Sequence, residues 1–208
     1  MIERDWLCLD LLKTRGWESR DRDDDVLDAP VRFLAWARRQ DLLSPPEARR
    51  LRAAVGDDAD WASGALAGAK ELRELLHRVF GRVADEEVPD ESDLRALEDY
   101  LAASGQSLTL GADAEGGIAW RWTDDDVSLA DAPSEDLGDA LADRIIGAVA
   151  RSAADLLTCG ELERVKVCAA DDCGWFFVDV SRNRSRRWCD MAGCGNRDKA
   201  RRYRARHG

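Results

Sequence analysis

Residues 163–208 read ERVKVCAADDCGWFFVDVSRNRSRRWCDMAGCGNRDKARRYRARHG, and their reading decides what kind of chain this is. Cys168 and Cys173 stand five positions apart, as do Cys189 and Cys194, with fifteen residues between the pairs. Matched cysteine pairs point to a metal site. Four thiolates complete the tetrahedral shell of one structural Zn²⁺ and leave no open position for a substrate; such a shell favours zinc over iron. Arg164-Val165-Lys166-Val167 reads as a short strand leading into Cys168, and Trp175–Val180 as a second extended stretch. Ser181–Ser185 reads as a turn, after which Arg186–Cys189 is expected to return antiparallel. Asn196 is expected to cap a helix over Arg197–Arg206. Knuckle, β-hairpin and helix describe a treble-clef-like finger, with Trp175, Phe176, Val178 and Trp188 as its small core. In so small a unit, metal binding supplies folding free energy.

Charge separates this stretch from the rest. Residues 164–208 hold 12 Lys/Arg against 5 Asp/Glu, a net +7, whereas residues 1–163 carry −18 of the total −11. A basic module on an acidic body suggests a polyanionic partner. Arg182, Arg184, Arg186 and Arg187 fall in or beside the turn; Arg197, Lys199, Arg201, Arg202, Arg204 and Arg206 fall on the helix. These ten cations form a footprint for phosphates, and an arginine fork also matches a guanine edge. On the helix, Arg197, Arg201 and Arg204 share one face, while Ala200 and Tyr203 are expected to face the finger. DNA is the expected partner. RNA is the alternative, with Trp175, Trp188 and Tyr203 stacking on unpaired bases. A second alternative is a redox or metal switch, in which thiolate oxidation expels zinc and unfolds the finger.

The body, residues 1–160, reads as mainly helical. Trp6, Leu7, Leu9, Leu11 and Leu12 open a helix, followed by a polar loop through Asp23-Asp24-Asp25. Val31, Leu34 and Ala35 recur at helical spacing within 29–40. Ser44-Pro45-Pro46-Glu47 is a helix start with a capping serine and prolines in the first turn. Leu66, Leu72, Leu75, Leu76, Val79 and Phe80 fit a 3.6-residue period from Asp60. Pro89-Asp90-Glu91-Ser92 opens another helix, through Leu101. The period then changes: Ser107–Leu110 and Ile118–Trp122, flanking a turn at Gly111–Gly117, read as a β-hairpin. Ser134 to Thr158 is helical again. The fold class expected is therefore mainly α with one small hairpin, followed over 161–208 by the finger.

Other features carry less. Cys8 and Cys159 stand alone and read as small buried hydrophobes, and His77 as structural; His207 is superfluous beside four thiolates. Asp23–Asp25 and Asp124–Asp126 lack the spacing of a calcium loop. No phosphate loop, dinucleotide motif or nucleophile elbow is present, so no enzymatic activity is expected. The opening residues lack a secretory pattern and the apolar runs are too short to span a bilayer, so a cytoplasmic protein with no membrane partner is expected.

The stretch Phe177–Cys189, of the form FxDxSRNRSRRWC, followed by Cys194-Gly195-Asn196-Arg197, resembles the CGNR zinc finger of bacterial proteins. Leu9-Asp10-Leu11-Leu12, Arg15-Gly16 and Leu72-Arg73-Glu74-Leu75 resemble the ABATE domain that accompanies it, with Lys13 where asparagine is frequent. The similarity spans essentially the whole chain. It implies a stress-related transcriptional regulator whose N-terminal domain regulates or senses a small-molecule ligand. A single finger would bind DNA weakly, so a homodimer is a further expectation.

Overall fold

The computed structural model describes residues 6–16, 25–55, 60–105, 108–112, 118–122 and 134–207. Residues 23, 24, 113–117 and 124–126, which carry parts of the acidic runs and of the body hairpin's turn, lie outside these. In chain order the elements are α1 (Leu7–Leu12), α2 (Pro30–Arg39), α3 (Pro45–Ala54), α4 (Asp60–Ala84), α5 (Glu91–Gly105), β1 (Leu108–Ala112), β2 (Ile118–Trp122), α6 (Ser134–Thr158), β3 (Val165–Val167), β4 (Phe176–Val178) and α7 (Asn196–His207). The expected class, mainly helical with a small body hairpin and a C-terminal four-cysteine finger, is what forms. No helix among the described residues is long and apolar enough to cross a membrane.

The chain divides into two compact units. One comprises Leu27–Leu72 and Arg95–Arg151. Helix α3 starts where the sequence places it: the Glu47 amide donates to Ser44 Oγ, the Ser44 amide donates to Glu47 Oε2 at 2.7 Å, and proline occupies the first turn. Arg144 of α6, almost buried, donates to the Leu42 carbonyl and to Glu47 Oε1, both at 3.0 Å, which satisfies a charge that would otherwise be costly to bury. Phe33, Leu34, Trp36, Leu51, Leu72, Leu141, Ile145 and Val149 are buried. Strands β1 and β2 pair antiparallel, Leu108 opposite Trp122.

The other unit comprises Met1–Val26, Arg73–Leu94 and Ser152–Gly208, so the finger belongs to the same compact unit as α1 and the second half of α4. Leu9, Leu11 and Leu12 of α1 are buried there, with Leu75, Leu76, Val79 and Phe80 of α4 and Ala153 and Leu156 of α6. The Cys8 amide donates to Ser152 Oγ at 3.2 Å. Arg73, 1% exposed, makes a two-pronged bond to Asp25 at 2.7 and 2.6 Å and a third bond to Thr14 Oγ1, so its charge is paired inside the core.

Two finger elements join this core. Phe176 on β4 lies 5.3 Å edge-on from His77 and 6.5 Å from Phe80, and the Trp175 indole N–H donates to the Arg15 carbonyl at 2.8 Å. Phe176 was expected to fill the finger's own core; instead it plugs the face of α4. The strand pairing also differs from expectation. β4 pairs antiparallel with β3, Val165 opposite Val178, and Arg186–Cys189 forms no strand. The arginine-rich return instead lies beside the knuckle, the Ala169 amide donating to the Arg187 carbonyl, with the Asp179 carboxylate accepting from the Arg186 amide.

Gly138 on α6 gives a test of packing in the first unit. A Cβ there would lie 2.4 Å from the Trp61 ring. Glycine to alanine inside a helix ordinarily gains roughly 1 kcal/mol. Gly138→Ala is expected instead to lower stability by about 1–3 kcal/mol in denaturant melts. A gain would mean that Trp61 lies elsewhere.

Candidate metal centre and basic face

The knuckle Cys168–Cys173 sits in the connection between β3 and β4. The Cys168 amide donates to the Trp175 carbonyl at 2.8 Å and the Cys173 amide to Ala170 at 3.2 Å. Gly174, at φ +66, supplies the left-handed residue that turns the chain back into β4. The Ala169 amide donates to the Arg187 carbonyl at 2.8 Å, which brings the second half of the finger alongside.

The second pair is presented differently. Cys189 ends the arginine-rich return, and Cys194 lies in a wide π-type turn, Met191–Gly195, that runs into α7. Asp190 caps this turn, its carboxylate accepting from the Ala192 and Gly193 amides at 3.2 and 2.6 Å. Asn196 was the expected cap. It has helical dihedrals, and its side-chain N–H donates back to the Ala192 carbonyl at 3.1 Å. The helical path begins before Asn196 because Cys194 must already curl inward.

All four sulfurs lie within 4.8 Å of one another, with Cys173 to Cys189 at 3.6 Å and Cys189 to Cys194 at 3.7 Å. A tetrahedron with Zn–S bonds of about 2.3 Å has S···S edges of about 3.8 Å, so the spacing fits one zinc ion. Cys168, Cys173 and Cys194 are buried and Cys189 half-buried, with Trp175 and Trp188 packed around them. The Cys189 thiol hydrogen-bonds Cys173, pulling the Cys173 pKa down to about 5 while raising its own. One structural Zn²⁺ is the cofactor that relieves this conflict, since a dication favours all four thiolates together.

The tetrapeptide Cys194–Arg197 now has a physical account. Cys194 is a ligand. A Cβ on Gly195 would meet Met191 Sδ at 2.7 Å and Trp188 at 3.6 Å. Asn196 ties the turn to the helix. Arg197 donates to Cys194 Sγ at 3.2 Å and pairs with Asp172 at 3.4 Å, placing positive charge beside a thiolate.

The ten predicted cations have different surroundings. Arg201 pairs with Asp171 on the knuckle and with Asp198 at 2.8 Å, and Arg202 reaches Asp198 at 2.9 Å. Asp198 is the buried side chain among those described on α7 and faces the finger; Ala200 and Tyr203 are exposed, and Tyr203 stacks on His207 at 4.3 Å. Arg184 pairs with Glu163 at 2.9 Å. Arg186 is internal to the frame: it donates to the Trp188 and Cys189 carbonyls and lies 4.9 Å over the Phe177 ring. Arg187 lies over Trp188 at 5.5 Å. Arg182, Arg187, Lys199 and Arg204 are exposed and have no ion pair among the described residues. The side chain of Arg206 lies outside those described.

Of the stacking residues, Trp175 and Trp188 are half-buried against the cysteine cluster, which leaves Tyr203 as the exposed ring. Cys8 is fully buried and pushed up to about 12 by desolvation, a poor nucleophile.

The residue that sequence reasoning missed is Asp179. It is 0% exposed, and its carboxylate accepts from Lys166 Nζ at 2.7 Å, the Ser181 amide at 3.0 Å, Ser181 Oγ and the Arg186 amide at 2.9 Å. Burial alone would raise its pKa, but Lys166 and Ser181 outweigh burial and hold it at about 2. Because the folded value lies below the unfolded value of about 3.9, Asp179 stabilises the fold above about pH 4, and that contribution fades as pH falls toward 2. The sequence signal was present: an acid between β-formers, two residues before a serine.

Two outcomes are expected. Asp179→Asn at pH 7 costs about 2–3 kcal/mol in equilibrium denaturation; a change under 0.5 kcal/mol, on the order of ordinary surface substitutions, would contradict the buried ion pair. The purified chain binds one Zn²⁺, and Co²⁺ in its place gives a tetrahedral tetrathiolate absorption spectrum that Cys189→Ser alters. An octahedral spectrum would refute the four-sulfur shell.

A model of the CGNR zinc finger matches residues 164–207, and a model of ABATE, "Putative stress-induced transcription regulator", matches residues 5–160. A search of curated proteins found no match. With three of the four sulfurs buried around a zinc-sized space and the ABATE match extending over most of the chain, the chain belongs to the ABATE family and carries a CGNR zinc finger.

Proposed function

We propose that the chain is a DNA-binding transcriptional regulator whose finger contacts the duplex and whose acidic portion regulates it. The observation that carries this reading is the exposed positive charge left after pairing. Arg182 and Arg187 on the return loop, and Lys199 and Arg204 on α7, point to solvent from one metal-ordered frame with no acidic partner among the described residues. Half-paired Arg184 and Arg202 add to them. A flexible basic tail would need no such frame; cations carried on an ordered frame can meet several duplex phosphates together. Arg197 and Arg201, braced against Asp171, Asp172 and Asp198, hold α7 to the knuckle. The net −18 of residues 1–163 repels DNA and so restricts the docking orientation to the finger. Family membership in a group described by transcription regulation supports the same reading.

The test is fluorescence anisotropy of zinc-loaded full chain with duplex and single-stranded DNA across a salt series. Duplex binding is expected, with log K falling linearly against log salt. Lys199→Ala/Arg204→Ala is expected to make that slope shallower by about two, at about 0.9 per lost phosphate contact. Absence of binding to either form would refute the proposal, and preference for single strands would transfer it to unpaired nucleic acid read by Tyr203.

A further inference from the structure

We infer that base sequence is read by the loop Ser181–Ser185, through Arg182 and Asn183, and that α7 supplies phosphate contacts only. This rests on the DNA-binding reading above and names the residues that would determine its specificity.

A loop presents the same set of donors and acceptors to a base edge each time only if its backbone is fixed before contact, because a segment that must first be ordered loses discrimination. The loop Ser181–Ser185 meets that condition. Its floor is the Asp179 carboxylate, an ionised acid with about four lone-pair sites, all of them taken by Lys166, Ser181 and Arg186. The Ser185 amide donates to Ser181 Oγ at 3.1 Å and the Arg184 amide to the Ser181 carbonyl at 3.2 Å, closing the turn from inside. Arg164 secures its entry, donating to the Asp179 carbonyl at 2.9 Å and the Ser181 carbonyl at 3.3 Å.

Arg184 is the sign that this shape is imposed. Its φ of +52 is a left-handed conformation that arginine disfavours, and it is fixed at both ends: its carbonyl accepts from Lys166 Nζ and its guanidinium pairs with Glu163. Strain of this kind persists where the surroundings over-determine it, often at functional loops.

What the loop presents is a reading set. Arg182 is exposed with no ion pair among the described residues, so both prongs of its fork are available for guanine O6 and N7. The Asn183 side chain is oriented by Ser185, whose hydroxyl donates to Asn183 Oδ1 at 2.7 Å. One lone pair of that oxygen and both amide protons remain, the complement of adenine N6 and N7. Adjacent Arg and Asn on one rigid turn therefore match a guanine–adenine step in the major groove.

On helix α7 most of the arginine forks are already engaged. Arg197 and Arg201 are committed to the knuckle acids and Arg202 to Asp198. Lys199 offers a point charge, and Arg204 leans back to the Ala200 carbonyl at 3.4 Å. These cations suit phosphates and carry little sequence information.

The experiment is selection from a randomised duplex pool by zinc-loaded full chain, followed by titration of the enriched duplex and a scrambled one at several salt concentrations. Wild type is expected to enrich a short site containing a guanine–adenine step. Arg182→Ala/Asn183→Ala, both on the exposed turn and checked for one zinc per chain, is expected to reduce the preference for the enriched duplex by roughly ten- to a hundredfold. Lys199→Ala/Arg204→Ala is expected to keep that preference and make the salt slope shallower. If the loop variant keeps the preference, or if the α7 variant loses it, the inference is overturned while DNA binding stands. Wild-type binding without any preference also overturns it, and no duplex binding at low salt overturns both readings.

Discussion

Four sulfurs within a sphere of a few ångströms are incompatible with four negative charges unless a cation lies among them. The hydrogen bond between Cys173 and Cys189 pulls the Cys173 thiol down and drives the Cys189 thiol up. A divalent ion removes that conflict and makes the knuckle, the return loop and the wide turn before α7 mutually dependent. Each segment contributes one or two ligands and has little regular hydrogen bonding of its own. The strands are only three residues long. Without the central ion, the three-residue strands and the turns that carry the ligands have too little regular structure to hold this arrangement.

Around that centre, aspartates do most of the arranging. Asp190 starts the turn that carries Cys194, Asp198 turns α7 inward, and Asp171 and Asp172 hold its arginines. Asp179 organises the return loop from below. The acids of this basic module are thus the parts that decide which arginines face outward. Net charge, read along the chain, counts every cation alike; the pairing shows that half of them are engaged in building the frame.

Much of this was legible in the sequence because it is local. The capping box at Ser44–Glu47, the helical periods of α4 and α6 and the two cysteine pairs each depend on residues a few positions apart. The tetrahedral metal shell follows from cysteine chemistry and spacing alone. Pairings over distance were not legible. Residues 165–167, 176–178 and 186–189 can each be read as extended from sequence, and local propensity does not say which two join. Arg201 meets Asp171 across thirty positions, so its commitment to the knuckle is invisible to a helical-face argument. Asn196 and Asp190 are both good caps in isolation; the ligand Cys194, needing to curl inward early, selects the aspartate.

The shared strand β4 bears on how such a chain can be rearranged. The family matches part between residues 160 and 164, as if two pieces had been joined there. Physically the seam lies elsewhere, because Phe176 seats against His77 and Phe80, and Trp175 is bonded to the loop after α1. A cut at residue 161 strips the finger of the apolar surface on which its second strand rests. The same cut leaves an open socket on α4 where a phenylalanine, worth about 1.5–3 kcal/mol when buried, belongs. The finger of this chain is therefore a poor graft onto foreign hosts unless α1 and the second half of α4 travel with it.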